Sequence, residues 1–181
     1  MFLKKDSTNL FVFFNDRIQE MMNLYSAFLS KDAEIYLSNL LVERAHSHED
    51  CFPETFVALY QHACEVSNSQ AIQIYREMGD RALFVSGYFR QSLKRRLVGV
   101  DYYQHMGAMA YSAIASQSHS FGVLFAEMAQ NFALCSNLLR ELWIKLQTRP
   151  EDLLSLYQEW LESREPAIAR HLKCYGIQLR I

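Results

Sequence analysis

Eight apolar positions, Phe121, Phe125, Met128, Phe132, Cys135, Leu139, Leu142 and Leu146, recur at alternating steps of four and three residues. That spacing holds a single stripe on one face of an α-helix. A repeat of about 3.5 residues sustained this far predicts coiled-coil-like contacts within a bundle. The expected element is one helix from Ser118 or Ser120 to about Gln147, on the order of 40 Å long at 1.5 Å per residue. The chain has only three prolines and six glycines in 181 residues, so little interrupts such helices. No segment reads as a strand, an internal repeat or a low-complexity tract.

A second apolar stretch, Glu77 to Ala115, reads as the centre of the molecule. Met78, Ala82, Val85, Phe89 and Leu93 mark one helix face, and Leu83, Phe84 and Tyr88 fill the flanks. A helix apolar nearly all round is buried on several sides. Gly87 lies inside it, where glycine costs about 1 kcal/mol relative to alanine. The compensation expected is close approach of another helix. Lys94, Arg95 and Arg96 suit a helix C-terminus, and Gly99 suits a left-handed residue just beyond it. Asp101, with Gln104, reads as the cap of the next helix. On that helix Ala108, Ser112 and Ala115 form a small-residue stripe, with Gly107, Tyr111 and Ile114 beside it. The two helices read as an antiparallel pair joined by the basic turn.

Five further helices are expected before and after this core. One runs from Ser7 or Thr8 to about Leu29, with Phe28 in its apolar set. A second runs from Ala33 to His46, capped by Asp32, with Leu37, Leu40 and Leu41 inward. A third spans Glu54 to Val66 and is broken by Asn68 and Ser69. A capping box, Thr148 with Glu151, opens a helix bearing Leu153, Leu156, Tyr157, Trp160 and Leu161. A last short stripe, Ile168, Leu172 and Tyr175, starts near Pro166 and stops at Gly176. The expectation is thus an all-α chain: one domain over residues 1–181, a compact bundle of about seven or eight helices around the central pair.

Composition excludes several functions. Half the residues are hydrophobic, the net charge is −2 and the sequence pI is about 6.3. That leaves no electrostatic footprint for nucleic acid. The run Leu10 to Phe14 is too short to span a bilayer or to form a signal peptide's core. Cys51, Cys64, Cys135 and Cys174 form no C-x-x-C pair and read as buried free thiols of a reducing compartment. These features predict a cytoplasmic protein without nucleic-acid or membrane partners.

Four phrases, GDRALFVSGYF (Gly79 to Phe89), DYYQHMG (Asp101 to Gly107), LYQEWLE (Leu156 to Glu162) and EIYLSNLLVE (Glu34 to Glu43), resemble a family of uncharacterised bacterial helical proteins. The resemblance covers most of the chain after Ser30. It implies a bacterial origin and carries over no activity and no catalytic residue.

No residue is read as catalytic. Glu43 and His46 have the E-x-x-H spacing by which di-iron bundles share a metal, but such sites need two of these motifs and two further glutamates. A second E-x-x-H is absent, since His62 and Glu65 stand in reverse order. Asn39, Glu43, His46 and Asp50 instead form a solvated polar face. Asp101 and His105, one turn apart, offer an acid–base pair, against which capping is the simpler role for Asp101. Lys94 to Arg96 reads as a solvated turn. The expected function is therefore non-enzymatic, through protein–protein contact, with a second copy as the first partner and no cofactor. The alternative is a small-molecule-binding or metal-dependent oxidative enzyme on a haem-oxygenase-like or ferritin-like bundle. In that case Glu43 and His46 are the metal candidates, and a ligand would lie between helices.

Overall fold

The computed structural model describes residues 7–46, 55–88, 90, 93, 98–118, 120–148 and 152–179. Among them the chain forms nine helices and no strand: α1 (Ser7–Tyr25), α2 (Lys31–His46), α3 (Phe56–Glu65), α4 (Asn68–Gly87), α5 (Val100–Gln117), α6 (Gly122–Gln130), α7 (Phe132–Gln147), α8 (Leu153–Ser163) and α9 (Pro166–Cys174). The all-α bundle expected from the periodicity is what forms.

The antiparallel pair at its centre is α4 and α5. Their contacts run in opposite order along the two chains. Tyr111 lies across Gly79, and Ala82 meets Gly107. A methyl group added at Gly79 would sit 2.2 Å from the Tyr111 ring, and one at Gly107 would sit 2.1 Å from Phe132 of α7. Neither distance is physically tolerable, so glycine sets how near these helices come. The face that α5 turns inward is Tyr103, Gly107, Ala110, Tyr111 and Ile114. The small stripe of Ala108, Ser112 and Ala115 lies to one side, and Ser112 is exposed. Bulky Tyr111 is admitted because the opposing residue is glycine.

Gly87 does mark a close approach, by α7. A Cβ there would stand 2.7 Å from Leu139 Cβ and 2.8 Å from the Ser136 carbonyl oxygen. It is the last residue of α4, which ends earlier than the apolar pattern suggests. Gly99 has extended backbone (φ −87°) and is the N-cap of α5, which places Asp101 within the first turn. Residues 94–97, with the basic run, lie outside the described residues.

The long helix expected from Phe121 to Leu146 is divided at Asn131. Its backbone leaves the helical region (φ −100°, ψ 19°), and its side-chain amide donates to the Glu127 carbonyl at 3.1 Å. An asparagine side chain that competes for a helix carbonyl favours a break. The two halves share α5 but otherwise pack differently: α6 meets α2, while α7 meets α1, α4 and α9. The ends of the stripe, Phe121 and Leu146, are exposed.

Other boundaries shift for local reasons. Ser30 caps α2 by accepting from the Ala33 N–H at 3.2 Å, in place of Asp32. Thr55 caps α3 in the same way, through the Ala58 N–H at 3.2 Å. Asn68 and Ser69 open α4, whose N-cap Ser67 donates its N–H to Gln70 Oε1 at 3.4 Å. Helix α1 stops at Tyr25, and Ser26 turns the chain with φ 49°, so Phe28 swings outward rather than joining the core. The Thr148 hydroxyl donates to the Ile144 carbonyl at the end of α7; Glu151 lies outside the described residues. Of the cysteines among the described residues, only Cys135 is buried, and burial pushes its thiol up to about 12. Cys64 and Cys174 are exposed, contrary to expectation, and Cys51 is outside the described residues.

Two apolar clusters result. The larger draws on α1 through α7 and includes Ile18, Leu37, Met78, Leu83, Ile114 and Met128. The smaller joins Ile144 of α7 to Leu156, Trp160, Ile168 and Leu172 of α8 and α9. Gly87→Ala should lower stability by about 1–3 kcal/mol, because overpacking against an immobile carbonyl outweighs the gain in helix propensity. A denaturant midpoint equal to or above that of the wild type would show that α4 and α7 are free to separate there.

Candidate functional site

Among the described residues, charge is most deeply buried in two places. The first is in the main core, where Asp80 of α4 is 6% exposed. Its Oδ1 accepts from the Tyr36 hydroxyl at 2.5 Å and from the Tyr111 hydroxyl at 2.7 Å. Arg76, one turn earlier, reaches Oδ2 at 3.6 Å and covers the Tyr36 ring. Burial holds the Asp80 carboxyl above its ordinary range, and burial also keeps both phenols above theirs. The phenols are therefore neutral donors at physiological pH. With Tyr111 wholly buried, this cluster ties α2, α4 and α5 together.

The second lies between the two apolar clusters. Arg140 of α7 is 1% exposed. Its Nη2 donates to Glu159 Oε1 at 2.9 Å, and its Nε donates to Glu165 Oε1 at 3.2 Å. Its Nη1 is buried with no hydrogen-bond partner among the described residues. Arg90 also donates to Glu165 Oε1, at 3.1 Å, and to Asn137 Oδ1 at 3.2 Å. Next to them Arg170 of α9 donates to Glu141 Oε1 at 2.6 Å, and the Tyr25 hydroxyl bonds to both. The Arg170 guanidinium stacks over the Tyr25 ring at 4.4 Å. These ion pairs fasten α8 and α9 to α1, to α7 and to Arg90 in the segment after α4.

Two cavities open at this junction. One, of about 220 Å³, is lined by Tyr25, Arg90, Asn137, Glu165, Ala167 and Arg170 among others. The other, of about 530 Å³, shares Arg90, Asn137, Glu165 and Pro166 with it and adds Leu93, Val100 and Arg164. The larger volume is within the range that holds small molecules, about 300–1,000 Å³.

An apolar surface lies elsewhere. Phe28 is 92% exposed and Val123 is 86% exposed. The Ser30 N–H, two residues after Phe28, donates to Glu127 Oε1 at 2.6 Å. Val123 precedes Glu127 by one turn of α6, so both apolar residues flank a single contact. Leu24 and Phe121 are exposed close by in the chain.

The residues singled out from the sequence lie exposed or have side chains outside the described residues. Glu43 is exposed on α2, and His46 is its last residue, with a side chain outside the described residues, as is Asp50. Asp101 and His105 are both exposed on α5. Among the described residues, no three His, Cys, Asp or Glu side chains are placed to hold a metal ion. Also among them, no helix is long and apolar enough to cross a membrane. Sequence reasoning passed over Asp80 and Arg140, yet both stand out in hindsight: each is one of two adjacent ions set inside an otherwise apolar run, M-G-D-R-A-L and L-L-R-E-L-W. Glu159 and Glu165, which meet Arg140, and Arg170, which meets Glu141, gave no such signal.

An acid whose pKa is higher in the folded than in the unfolded state stabilises the fold below the unfolded value. That contribution is lost as pH rises through the folded value. Asp80→Asn removes the titration while keeping an oxygen for both phenols. The wild type should therefore lose stability relative to Asp80→Asn as pH climbs above the ordinary aspartate value of about 4. Parallel denaturant midpoints for the two proteins above that value would contradict the elevation. Separately, Arg140→Ala leaves Glu159 and Glu165 without their buried cation and should cost about 3–5 kcal/mol in the same measurement.

No protein-family model matches this chain, and no curated protein and no solved structure matches it either.

Proposed function

We propose that this chain is a non-enzymatic helical protein that acts through protein–protein contact, its first partner being a second copy of itself. The exposure of Phe28 carries the reading. An aromatic side chain fully in water forgoes about 1.5–3 kcal/mol of burial, and Val123, Phe121 and Leu24 are exposed apolar side chains as well. Contiguous apolar patches mark interaction sites, and aromatic anchors dominate the energetics of such contacts. An apolar patch is complementary to itself, as a charged one is not, which suits the two-fold pairing of identical subunits. The resemblance to bacterial helical proteins fits a bacterial interaction protein.

Light scattering at high micromolar concentration should give the mass of two chains. Replacing Phe28 and Val123 together by serine should return the protein to one chain without lowering its thermal midpoint, because neither side chain supports the core. A single-chain mass for the wild type at every concentration would overturn the proposal, as would a two-chain mass that survives the double substitution.

A further inference from the structure

The larger cavity at the α7–α8–α9 junction has a charge left over. Of the groups that line it, Glu165 is matched twice, by Arg90 at 3.1 Å and by Arg140 at 3.2 Å. Arg164 is exposed and makes no ion pair among the described residues; its guanidinium lies 4.5 Å over the Trp160 ring. Its backbone is left-handed (φ 52°, ψ 27°) at the end of α8. Glycine adopts that conformation without strain, and a bulky residue does not. The position therefore carries an arginine at a conformational disadvantage, on the wall of a cavity of about 530 Å³. A cation is favourable at a helix C-terminus, but that benefit does not require a cavity beside it.

The rest of the wall completes the chemistry. Arg90 is three-quarters buried and fixed by Asn137 and Glu165, so its orientation is set before anything binds. Leu93, Val100 and Pro166 supply an apolar side. The first turn of α9 opens here, and its N-cap Glu165 is turned to the two arginines instead of capping its own helix.

We propose that this cavity binds a small organic anion. Arg164 and Arg90 hold its carboxylate or phosphate, and its apolar portion lies against Leu93, Val100 and Pro166. Arginine suits both anions because its planar fork matches their oxygens in pairs. Binding would draw Arg164 from the Trp160 ring and so change tryptophan fluorescence. This inference does not depend on self-association, since the cavity and the Phe28 surface are built from different elements.

The test is titration of the full chain with phenyl phosphate, benzoate and neutral benzyl alcohol, followed by calorimetry and tryptophan fluorescence. At least one anion should bind saturably, more tightly than benzyl alcohol, with affinity falling as salt is added. Arg164→Gly should weaken that anion about ten-fold or more. The same variant should keep the helical content and thermal midpoint of the wild type, because glycine fits the left-handed position. Arg164→Lys should bind with intermediate affinity. The proposal is overturned if neither anion binds, if benzyl alcohol binds as well as the anions, or if Arg164→Gly binds them unchanged. It is also overturned if Arg164→Gly unfolds, which would assign Arg164 a purely structural role.

Discussion

Three helices come together here more closely than side chains normally allow, and glycine is what permits it. Gly79 receives the Tyr111 ring, Gly107 receives Phe132, and Gly87 lies against the backbone of α7 at Ser136. The positions of α4, α5 and α7 follow from these contacts, and the other helices pack around them. The same geometry places the buried acid. Because Tyr111 crosses α4 at Gly79, its hydroxyl arrives at Asp80, the very next residue. The steric contact and the polar tie are one arrangement, and a side chain at Gly79 would break both.

Buried charge plays two different parts in the molecule. At Asp80 the acid is met mainly by neutral phenols, so its desolvation is only partly offset and its proton is held more tightly. At Arg140 a cation is met by two carboxylates, and the geometry supplies several charge-assisted bonds. Neither arrangement is an economical source of stability, since apolar side chains of similar volume would serve as well or better. Both select geometry: phenols and guanidinium groups bond in few orientations, whereas leucines pack in many.

Much of this architecture was legible in the chain. The helical class, the central antiparallel pair and the close approach at Gly87 follow from apolar spacing and from glycines set within greasy runs. Asn131 was not legible as a break, because the apolar stripe continues through it and only the side chain's bond to Glu127 reveals the change of direction. Phe28 reads as core by periodicity, yet the turn at Ser26 takes it out of the helix. The ionic junction was the least legible part. Arg140, Glu159, Glu165 and Arg90 lie far apart in sequence, and helix periodicity carries no information about which distant charges meet. Glu43 and His46 had the reverse character: a recognisable spacing on one helix, while no three His, Cys, Asp or Glu side chains among the described residues are placed to hold a metal ion.

The ionic junction also bears on how the protein is made. The main apolar cluster contains no residue of α8 or α9. By the end of α7, therefore, a growing chain already holds everything that core requires. What it still lacks are the oppositely charged partners of Arg140, Glu141 and Arg90, which arrive only with the last two helices and the turn between them. Until then the unfinished flank presents arginines and a glutamate to water alongside Ile144. Nascent chains aggregate through bare apolar surface, and charges set beside such surface act as gatekeepers. A flank of this kind leaves the incomplete bundle hydrated and selective, and the helices that finish it must match it in charge as well as shape.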